Sequence, residues 1–299
     1  DELYEVLKAI KEAGVVEIPM SIRADHIDRF FSPAFDSWDN WYVEDGVVKH
    51  GYLEANRYDF LAFVHKLYAE GLLDNDYMSV NKNGMNSMFL SGKIAVGYNP
   101  GSLIANAVKT MGDVEISSAK PLTAVKGRNS KFAKMNTVYD TGAASAAAIT
   151  TSCKNVEAAA RLLDYAYGEE GHMLVNFGIE GVTYEMVDGY PTYTAFVKEN
   201  MDDVMAKYMR CTVNGAFVQD PRYIEQYYDT KEQTAALSLW SQTDYGKYML
   251  PPVSISSEDG AKVASIINKV NTYADEMETK FITGAIELNE KTFAEYQAQ

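Results

Sequence analysis

Hydrophobic and polar positions alternate between residues 58 and 96 in a way that predicts two helices followed by a strand. Apolar residues recur three and four positions apart in the first part of this stretch, and Gly71 follows as a C-terminal stop. Residues 85–90 place Met, Phe and Leu side chains on one face of a second helix. The apolar run 94–96, which breaks at Gly97, predicts a buried strand.

Similar patterns predict further elements along the chain. Helices are predicted over residues 1–13, 201–209, 224–240 and 259–281. A short strand at 15–18 is expected to end at Pro19, and another strand covers 114–116. A hairpin is predicted to pair 41–43 with 47–48.

The totals narrow the class of protein. At 299 residues the chain is long enough for two lobes or one large domain. Its 27 Lys and Arg residues against 42 Asp and Glu leave a formal charge of −15. That charge makes nucleic acid and anionic lipid poor partners, and a neutral ligand fits better. A hydrophobic content of 47% with 23% charged residues is that of a folded globular protein.

Residue types with catalytic or metal-binding chemistry form no recognisable motif. The sequence contains no Gly-rich phosphate loop, no HExxH and no GxSxG. Two cysteines, Cys153 and Cys211, provide no disulfide framework and no thiolate zinc site, and whether they pair stays open. The four histidines are scattered and are interpreted as surface or helix-side residues: His26, His50, His65 and His172. We therefore expect no cofactor, no metal and no catalytic residue.

Three segments carry a resemblance to a known family. The first contains LYAEGLLD and FLSGKIA, at residues 67–74 and 89–95. The second, at 151–185, contains KNVEAAARLLDY and GIEGVTYE, and the third is the FITG turn at 281–284. With these segments in this order, the chain resembles the bacterial extracellular solute-binding proteins of family 1. These are lipoprotein-type substrate-binding proteins of sugar ABC transporters.

The resemblance implies an α/β fold of the periplasmic-binding-protein-like type II, with two lobes joined by a hinge and a helix-rich second lobe. Residues 1–14 would form a helix leading to the hinge, and 15–137 the first part of the second lobe. Residues 138–190 would return through the hinge to the first lobe. Residues 191–299 would pack as a helical C-terminal part on the second lobe and hinge. The chain would then be the C-terminal portion of a longer protein.

Sugar binding needs flat apolar faces for the C–H side of a pyranose and polar groups for its hydroxyls. The chain has 21 tyrosines, many of them beside Gly, Asn or Asp, where a stacking platform is the functional interpretation and core filling the alternative. For Trp240 a core role is equally consistent with the pattern. With the resemblance, we predict these ligand-binding residues: Trp38, Trp41, Tyr98, Asn99, Tyr139, Asp140, Glu180, Tyr184, Trp240, Gln242 and Tyr245.

The resemblance implies a function in transport. The protein is expected to be an extracellular, monomeric oligosaccharide-binding component that presents its ligand to the permease subunits of an ABC transporter, anchored as a lipoprotein in its full-length form. It would hold the ligand in an interlobe cleft without chemistry. Three alternatives stay open: a binder of another solute such as a peptide, a cleft glycosidase with paired carboxylates, and a glycan-capture protein that works without a transporter.

Overall fold

The computed structural model describes residues 1–98, 101–112, 114–133, 147–212, 215–228, 230–251, 253, 255–256 and 258–299. The chain divides into two compact units. Unit 1 consists of Asp1–Met135 and Ala235–Gln299, and unit 2 of Asn136–Thr234. The start of the segment 138–190 that is predicted to return through the hinge, residues 138–146, lies outside the described residues. The predicted lobe boundaries therefore stay a prediction.

Helices dominate the described part of the chain. Before residue 134 they are α1 (Glu2–Ala13), α2 (Ile27–Phe31), α3 (Arg57–Ala69), α4 (Lys82–Leu90) and α5 (Gly101–Thr110). After residue 146 they are α6 (Val156–Tyr165), α7 (Glu169–Phe177), α8 (Ala195–Glu199), α9 (Met201–Tyr208), α10 (Pro221–Tyr227), α11 (Lys231–Trp240), α12 (Tyr245–Tyr248), α13 (Gly260–Thr283) and α14 (Glu290–Gln297). Among these residues, no helix combines the length and apolar character that a membrane span requires.

Six short strands form three pairs in the described residues. The strands are β1 (Ile18–Ser21), β2 (Trp41–Glu44), β3 (Val47–His50), β4 (Ile94–Gly97), β5 (Tyr184–Val187) and β6 (Tyr190–Tyr193). β1 and β4 are parallel, with Ile18 opposite Ile94 and Ser21 opposite Gly97. β2 with β3, and β5 with β6, are antiparallel hairpins. The predicted hairpin at 41–48 and the predicted strand at 94–96 are thus confirmed.

Three predicted elements differ from the structure. β1 covers Ile18–Ser21 and not 15–18, so residues 15–17 precede the strand. β1 continues through Pro19, because Ile18 N supplies the bond to Lys93 O at 3.1 Å and the pairing needs no donor from the proline. Residues 114–116 form no strand, since Val114 is exposed and no neighbouring strand of the described chain pairs with them. The helix expected over 224–240 is two helices, and Thr230 Oγ1 accepts a bond from Gln233 N at the start of the second.

The core of unit 1 lies between α3 and α13. Side chains from α1, β1, α2 and α14 complete it, and its most deeply buried members include Leu7, Met20, Phe31, Phe60, Leu61 and Phe281. α13 contributes only its C-terminal half to this core: Ala274, Phe281 and Ile282 are buried, whereas Ile266 and Val270 are exposed. The apolar residues that predicted this helix therefore continue along its exposed N-terminal half, beyond the part that is buried in the core.

Unit 2 has a core of its own, built around Phe177, Tyr193 and Met205. A polar network lies beside it, in which His172 Nε2 is 2.9 Å from Asp220 Oδ2. Burial by itself raises the pKa of Asp220, but hydrogen bonds from Arg222 and His172 lower it to about 2. Asp220 also caps α10 by accepting a bond from Arg222 N.

Candidate functional site

The carboxyl ends of the parallel strands β1 and β4 lie side by side in unit 1. Tyr98 follows β4 directly, and the segment from Arg23 to His26 follows β1. The Tyr98 ring is half-buried and meets the ring of His26 edge-on, with centroids 5.0 Å apart. Phe30 packs against the same tyrosine ring at 5.7 Å. Since ligands of open α/β sheets bind beyond the carboxyl ends of the strands, this edge is the candidate site.

Charged side chains flank Tyr98 at this edge. Arg23 Nε donates to Asp25 Oδ1 at 2.9 Å, and Arg23 Nη2 lies 3.2 Å from His26 Nε2. The hydrogen bond from Arg23 lowers the pKa of Asp25. Burial lowers the pKa of His26, against the opposite effect of the Asp25 charge. The imidazole is therefore neutral at pH 7, and its buried Nδ1 has no hydrogen-bond partner among the described residues.

Trp38 and Tyr245 lie in a small aromatic core. The Trp38 ring stacks on Phe132 with centroids 5.8 Å apart and meets Tyr245 edge-on at 5.4 Å, while Tyr42 packs on Phe132 at 4.7 Å. Trp38 is 8% exposed and Tyr245 is 7% exposed. Little of either ring is left for a ligand, so both residues chiefly hold the β2–β3 hairpin in place.

Trp41 lies beside this core and faces the opposite way. It is the first residue of β2 and alternates with Tyr42, so one side chain is buried and the next is exposed. Its indole is 41% exposed and contacts the His50 ring edge-on at 4.8 Å. Trp41 therefore exposes part of its aromatic surface to solvent, and its role in ligand binding stays a prediction.

The other predicted residues fall in two places. Trp240 and Gln242 are half-buried at the end of α11, where Gln242 Nε2 donates to Ser238 O at 3.3 Å. In unit 2, Glu180 is exposed and Tyr184 is buried against Phe177 at 5.9 Å. Asn99, Tyr139 and Asp140 lie outside the described residues. Among the described residues of the predicted set, those in unit 1 are Trp38, Trp41, Tyr98, Trp240, Gln242 and Tyr245.

A charged network joins α2, α3 and α13 in unit 1. Arg57 on α3 is fully buried and donates to Glu278 on α13 from Nε at 2.8 Å and from Nη2 at 2.6 Å. Its Nη2 also pairs with Asp28. Burial raises the pKa of Asp39 to about 7, with the Asp28 charge adding to the effect and the Arg57 charge opposing it. Asp39 is exposed as a residue, and the charges of Asp28, Arg57 and Glu278 act on its carboxyl.

Sequence reasoning missed the contribution of Arg23, His26 and Arg57 to this region. His26 was interpreted as a surface or helix-side residue, but it is half-buried against Tyr98. β1 and β4 lie more than 70 positions apart in the sequence. Only knowledge of their pairing would have shown that the residues after β1 lie next to Tyr98.

Candidate metal ligands are not assembled in the described part of the chain, and one of its two thiols is buried. No group of three His, Cys, Asp or Glu side chains there is placed to hold a metal ion. Both cysteines are free, and burial raises the pKa of Cys211 to about 12, which keeps it a thiol. An open groove of about 710 Å³ runs along α13 from Ala261 to Glu276, and none of the predicted ligand-binding residues lines it.

Comparisons with solved structures identify the fold. The alginate-binding protein AlgQ2 superposes with a TM-score of 0.73 and 24% identity, over 100% of this chain and 64% of AlgQ2. An HMO binding, ABC-transporter associated solute-binding protein from Bifidobacterium longum infantis ATCC 15697 superposes with a TM-score of 0.67 and 18% identity, over 100% of this chain and 65% of that protein. An EF-hand mutant of FusA from S. pneumoniae, in complex with fructo-nystose, superposes with a TM-score of 0.61 and 18% identity, over 100% of this chain and 66% of FusA. The helix-rich α/β fold is that of the periplasmic-binding-protein-like solute-binding proteins, as predicted.

Comparisons at the sequence level point to the same class of protein. Lipoprotein LipO of Bacillus subtilis (strain 168) is 26% identical over 219 residues, which are 67% of this chain and 42% of LipO. The chain thus spans about two fifths of this curated relative and less than two thirds of each solved structure. The family model described as bacterial extracellular solute-binding protein matches residues 1–173, more than half of the chain. The chain belongs to the bacterial extracellular solute-binding protein family.

Proposed function

We propose that this chain is part of the extracellular substrate-binding component of an ABC transporter and that its ligand is an oligosaccharide. The observation that supports the proposal best is the Tyr98 ring at the carboxyl edge of β1 and β4, held edge-on by His26 and Phe30. The names of AlgQ2, the Bifidobacterium protein and FusA each refer to a carbohydrate ligand of that protein. A fixed aromatic face next to charged hydrogen-bonding groups suits this ligand class.

The groups around Tyr98 would contact different parts of a sugar. The tyrosine ring covers apolar C–H groups, while Arg23 donates and Asp25 accepts hydrogen bonds with hydroxyls. The Arg23–Asp25 ion pair orients both side chains before a ligand arrives, which reduces the entropy lost on binding. Exposed Trp41 supplies a second aromatic face in the same unit.

At the edge of β1 and β4, Asp25 and Asp74 suit ligand binding without bond cleavage better than glycoside hydrolysis. A glycosidase needs one carboxyl whose raised pKa keeps it protonated as a general acid. The hydrogen bond from Arg23 instead lowers the pKa of Asp25. Asp74, at the same edge, accepts bonds from Ser21 Oγ at 2.7 Å and from Asp76 N at 3.0 Å, so both of its oxygens are engaged.

The partners follow from the proposal. A solute-binding protein of this family would work outside the cell as a monomer and deliver its ligand to permease subunits. The net charge of −15 suits a neutral ligand and disfavours nucleic acid.

Calorimetric titration with a panel of oligosaccharides, followed by product analysis, tests the proposal. We expect saturable binding of at least one saccharide without new products. We also expect Tyr98→Ala to weaken that binding by about tenfold, an effect of about 1.4 kcal/mol, and Tyr98→Phe to retain most of it. Tyr4→Ala is the matched control, because Tyr4 on α1 is another half-buried tyrosine at the margin of the same core.

Two results would count against this function. New reducing ends in the titrated samples would place the protein among glycosidases. Binding of peptides in place of saccharides would retain the solute-binding role with a different ligand class.

A further inference from the structure

The imidazole of His26 contacts the Tyr98 ring from the turn that follows β1. It is half-buried, and the two rings meet edge-on with centroids 5.0 Å apart. Its Nε2 is 3.2 Å from Arg23 Nη2, and Arg23 also donates from Nε to Asp25 Oδ1 at 2.9 Å. His26 therefore touches both the aromatic ring and the guanidinium that the proposed function assigns to the ligand.

The contact with Arg23 determines which nitrogen of the imidazole carries the hydrogen. A guanidinium has N–H donors and no acceptor, so His26 Nε2 accepts the bond from Arg23 Nη2 and is itself unprotonated. The hydrogen of the neutral ring is then on Nδ1. This atom is buried and has no hydrogen-bond partner among the described residues. His26 in this arrangement is thus the neutral Nδ1–H tautomer.

A second proton on this imidazole would disturb the arrangement. It would bind to Nε2 and point at Arg23 Nη2, so that two donors and two positive charges would face each other at 3.2 Å. The carboxylate of Asp25 is 3.9 Å from Nε2, beyond hydrogen-bond distance, and it already accepts from Arg23. Protonated His26 would compete with Arg23 for that carboxylate, and Arg23 would lose the partners that hold it.

The surroundings of His26 favour its neutral form. Burial has the largest effect and lowers the pKa of the imidazole; the charges of Arg23 and of Arg29 on α2 act in the same direction, and the charge of Asp25 opposes them. Tyr77 lies in a short helix that packs on this turn, and burial raises its pKa to about 12, so it adds no charge. Protonation of His26 is therefore expected below about pH 6.5, the ordinary pKa of histidine.

We propose that His26 is a positioning residue of the Tyr98 site and that its protonation weakens ligand binding in acid. The neutral imidazole supports the Tyr98 ring and holds Arg23 in place by accepting its hydrogen bond. When Nε2 takes a proton from solvent, it changes from acceptor to donor, and the ligand loses a donor that was oriented in advance. Since protonation weakens binding, binding in turn releases a proton in the acidic range. The inference rests on the proposed function and adds its regulation by pH.

Calorimetric titration of the full chain from about pH 7.5 to about pH 4.5 tests this inference. The probe is whichever of kestose, lacto-N-tetraose and cellotriose binds best at the higher pH, because these neutral saccharides do not titrate in this range. We expect the wild-type affinity to fall by about fivefold, since each pH unit below the pKa of His26 weakens binding by up to about tenfold. Titrations near pH 5.5 in two buffers of different ionisation enthalpy should also show that binding releases protons.

Variants of His26 separate its protonation from its packing. In His26→Gln the amide oxygen can accept from Arg23 at every pH, so we expect affinity within about twofold of the wild type at pH 7.5, a change of less than about twofold down to pH 4.5, and no proton release. His26→Leu cannot accept and should bind about tenfold more weakly at pH 7.5. His65→Gln is the matched control, because His65 is another half-buried histidine of unit 1, with its Nδ1 3.0 Å from Ile282 O, and it should retain the wild-type pH dependence.

The possible failures are distinguishable, provided that thermal melts show each variant folded at each pH. Saccharide affinity that is constant with pH in the wild type would overturn the role of His26 and leave the proposed function standing. A pH dependence that persists in His26→Gln would do the same, because Asp39, whose carboxyl also titrates in this range, is unchanged in that variant. Absence of saturable binding for every saccharide at pH 7.5 would overturn both.

Discussion

Asp39 is a side chain whose charged form the folded protein disfavours. The residue as a whole is open to solvent, but desolvation of its carboxyl and the charge of Asp28 raise the pKa of that carboxyl to about 7. A free aspartate titrates near pH 3.9. The folded protein therefore retains a proton on Asp39 that the unfolded chain releases between roughly pH 4 and 7.

This difference predicts the sign of a pH effect on stability. Since the native state binds more protons than the unfolded state in that window, the Asp39 contribution to the free energy of unfolding falls as pH rises from about 4 to 7 and stays low above it. We expect Asp39→Asn to melt at a higher temperature than the wild type at pH 8 and at nearly the same temperature at pH 4. Thermal melts at both pH values check this, with Asp45→Asn as the control. A variant no more stable than the wild type at pH 8 would contradict the prediction.

Gly51 is the residue at which the backbone of the hairpin approaches the Trp38 loop most closely. An alanine Cβ there would meet Trp38 O at 1.6 Å and Trp38 N at 2.7 Å, so the two segments would have to separate. We expect Gly51→Ala to lower the free energy of unfolding by about 3 kcal/mol, measured by urea denaturation. Gly246→Ala is the matched control, because no atom lies within 4 Å of its added Cβ and the residue is in α12. Equal stability of the two variants would refute the close approach.

At the scale of elements, one ion pair joins the helices of unit 1. Arg57 on α3 binds Glu278 on α13, and Tyr296 on α14 donates to Glu278 Oε1 at 2.7 Å. Asp28 on α2 completes the set. Helices that are far apart along the chain thus meet around one fully buried guanidinium.

Breaking this pair on one side should cost more than removing it altogether. Arg57→Met leaves Glu278 buried without its cation, and we expect a loss of about 3–5 kcal/mol in the free energy of unfolding. The double variant Arg57→Met with Glu278→Leu should cost clearly less than the sum of the single variants. Urea denaturation of all three measures the coupling. Lys280→Met, which breaks an exposed pair on the same helix, should change stability by less than about 1 kcal/mol. Additive losses would show that the pair is not coupled.

Local pattern was sufficient for several elements and insufficient for others. The predicted hairpin at 41–48 is β2 and β3 because its turn and its alternation are encoded in adjacent residues. The run 114–116 has a similar composition, but it forms no strand because strand formation also requires a partner. Apolar periodicity predicted α13 with nearly correct ends, yet it did not show that only half of its stripe is buried.

At the scale of the whole molecule, the dominant quantity is the net charge of −15. Excess charge of one sign destabilises a compact state by self-repulsion, and salt screens that repulsion. Exposed ion pairs such as Lys207–Asp203, which salt weakens, contribute little in return. Added salt should therefore relieve more repulsion than it weakens ion pairs, and so raise the free energy of unfolding.

We expect the thermal midpoint to rise when sodium chloride is increased from about 0.01 M to about 0.15 M, which shortens the Debye length from about 30 Å to about 8 Å. Screening of about 1 kcal/mol would appear as a rise of roughly 2–4 °C. Tetramethylammonium chloride should give the same rise, because screening depends on ionic strength and not on the cation. A midpoint that falls with salt, or that rises only with sodium, would contradict this explanation.

The sequence by itself determined the family, the α/β class and several element positions, because contiguous motifs and short apolar periods are properties of neighbouring residues. It also identified Tyr98 and Trp41 as candidate ligand contacts, and the proposed function still rests on these two. Only the tertiary structure decided that Trp38 and Tyr245 fill a core, and that His26 packs on Tyr98. It also paired Arg57 with a glutamate 221 positions away. These outcomes depend on which distant segments meet in the folded chain. Side chains of the same type in the sequence therefore acquire different roles, because the fold buries some of them and brings charges next to others.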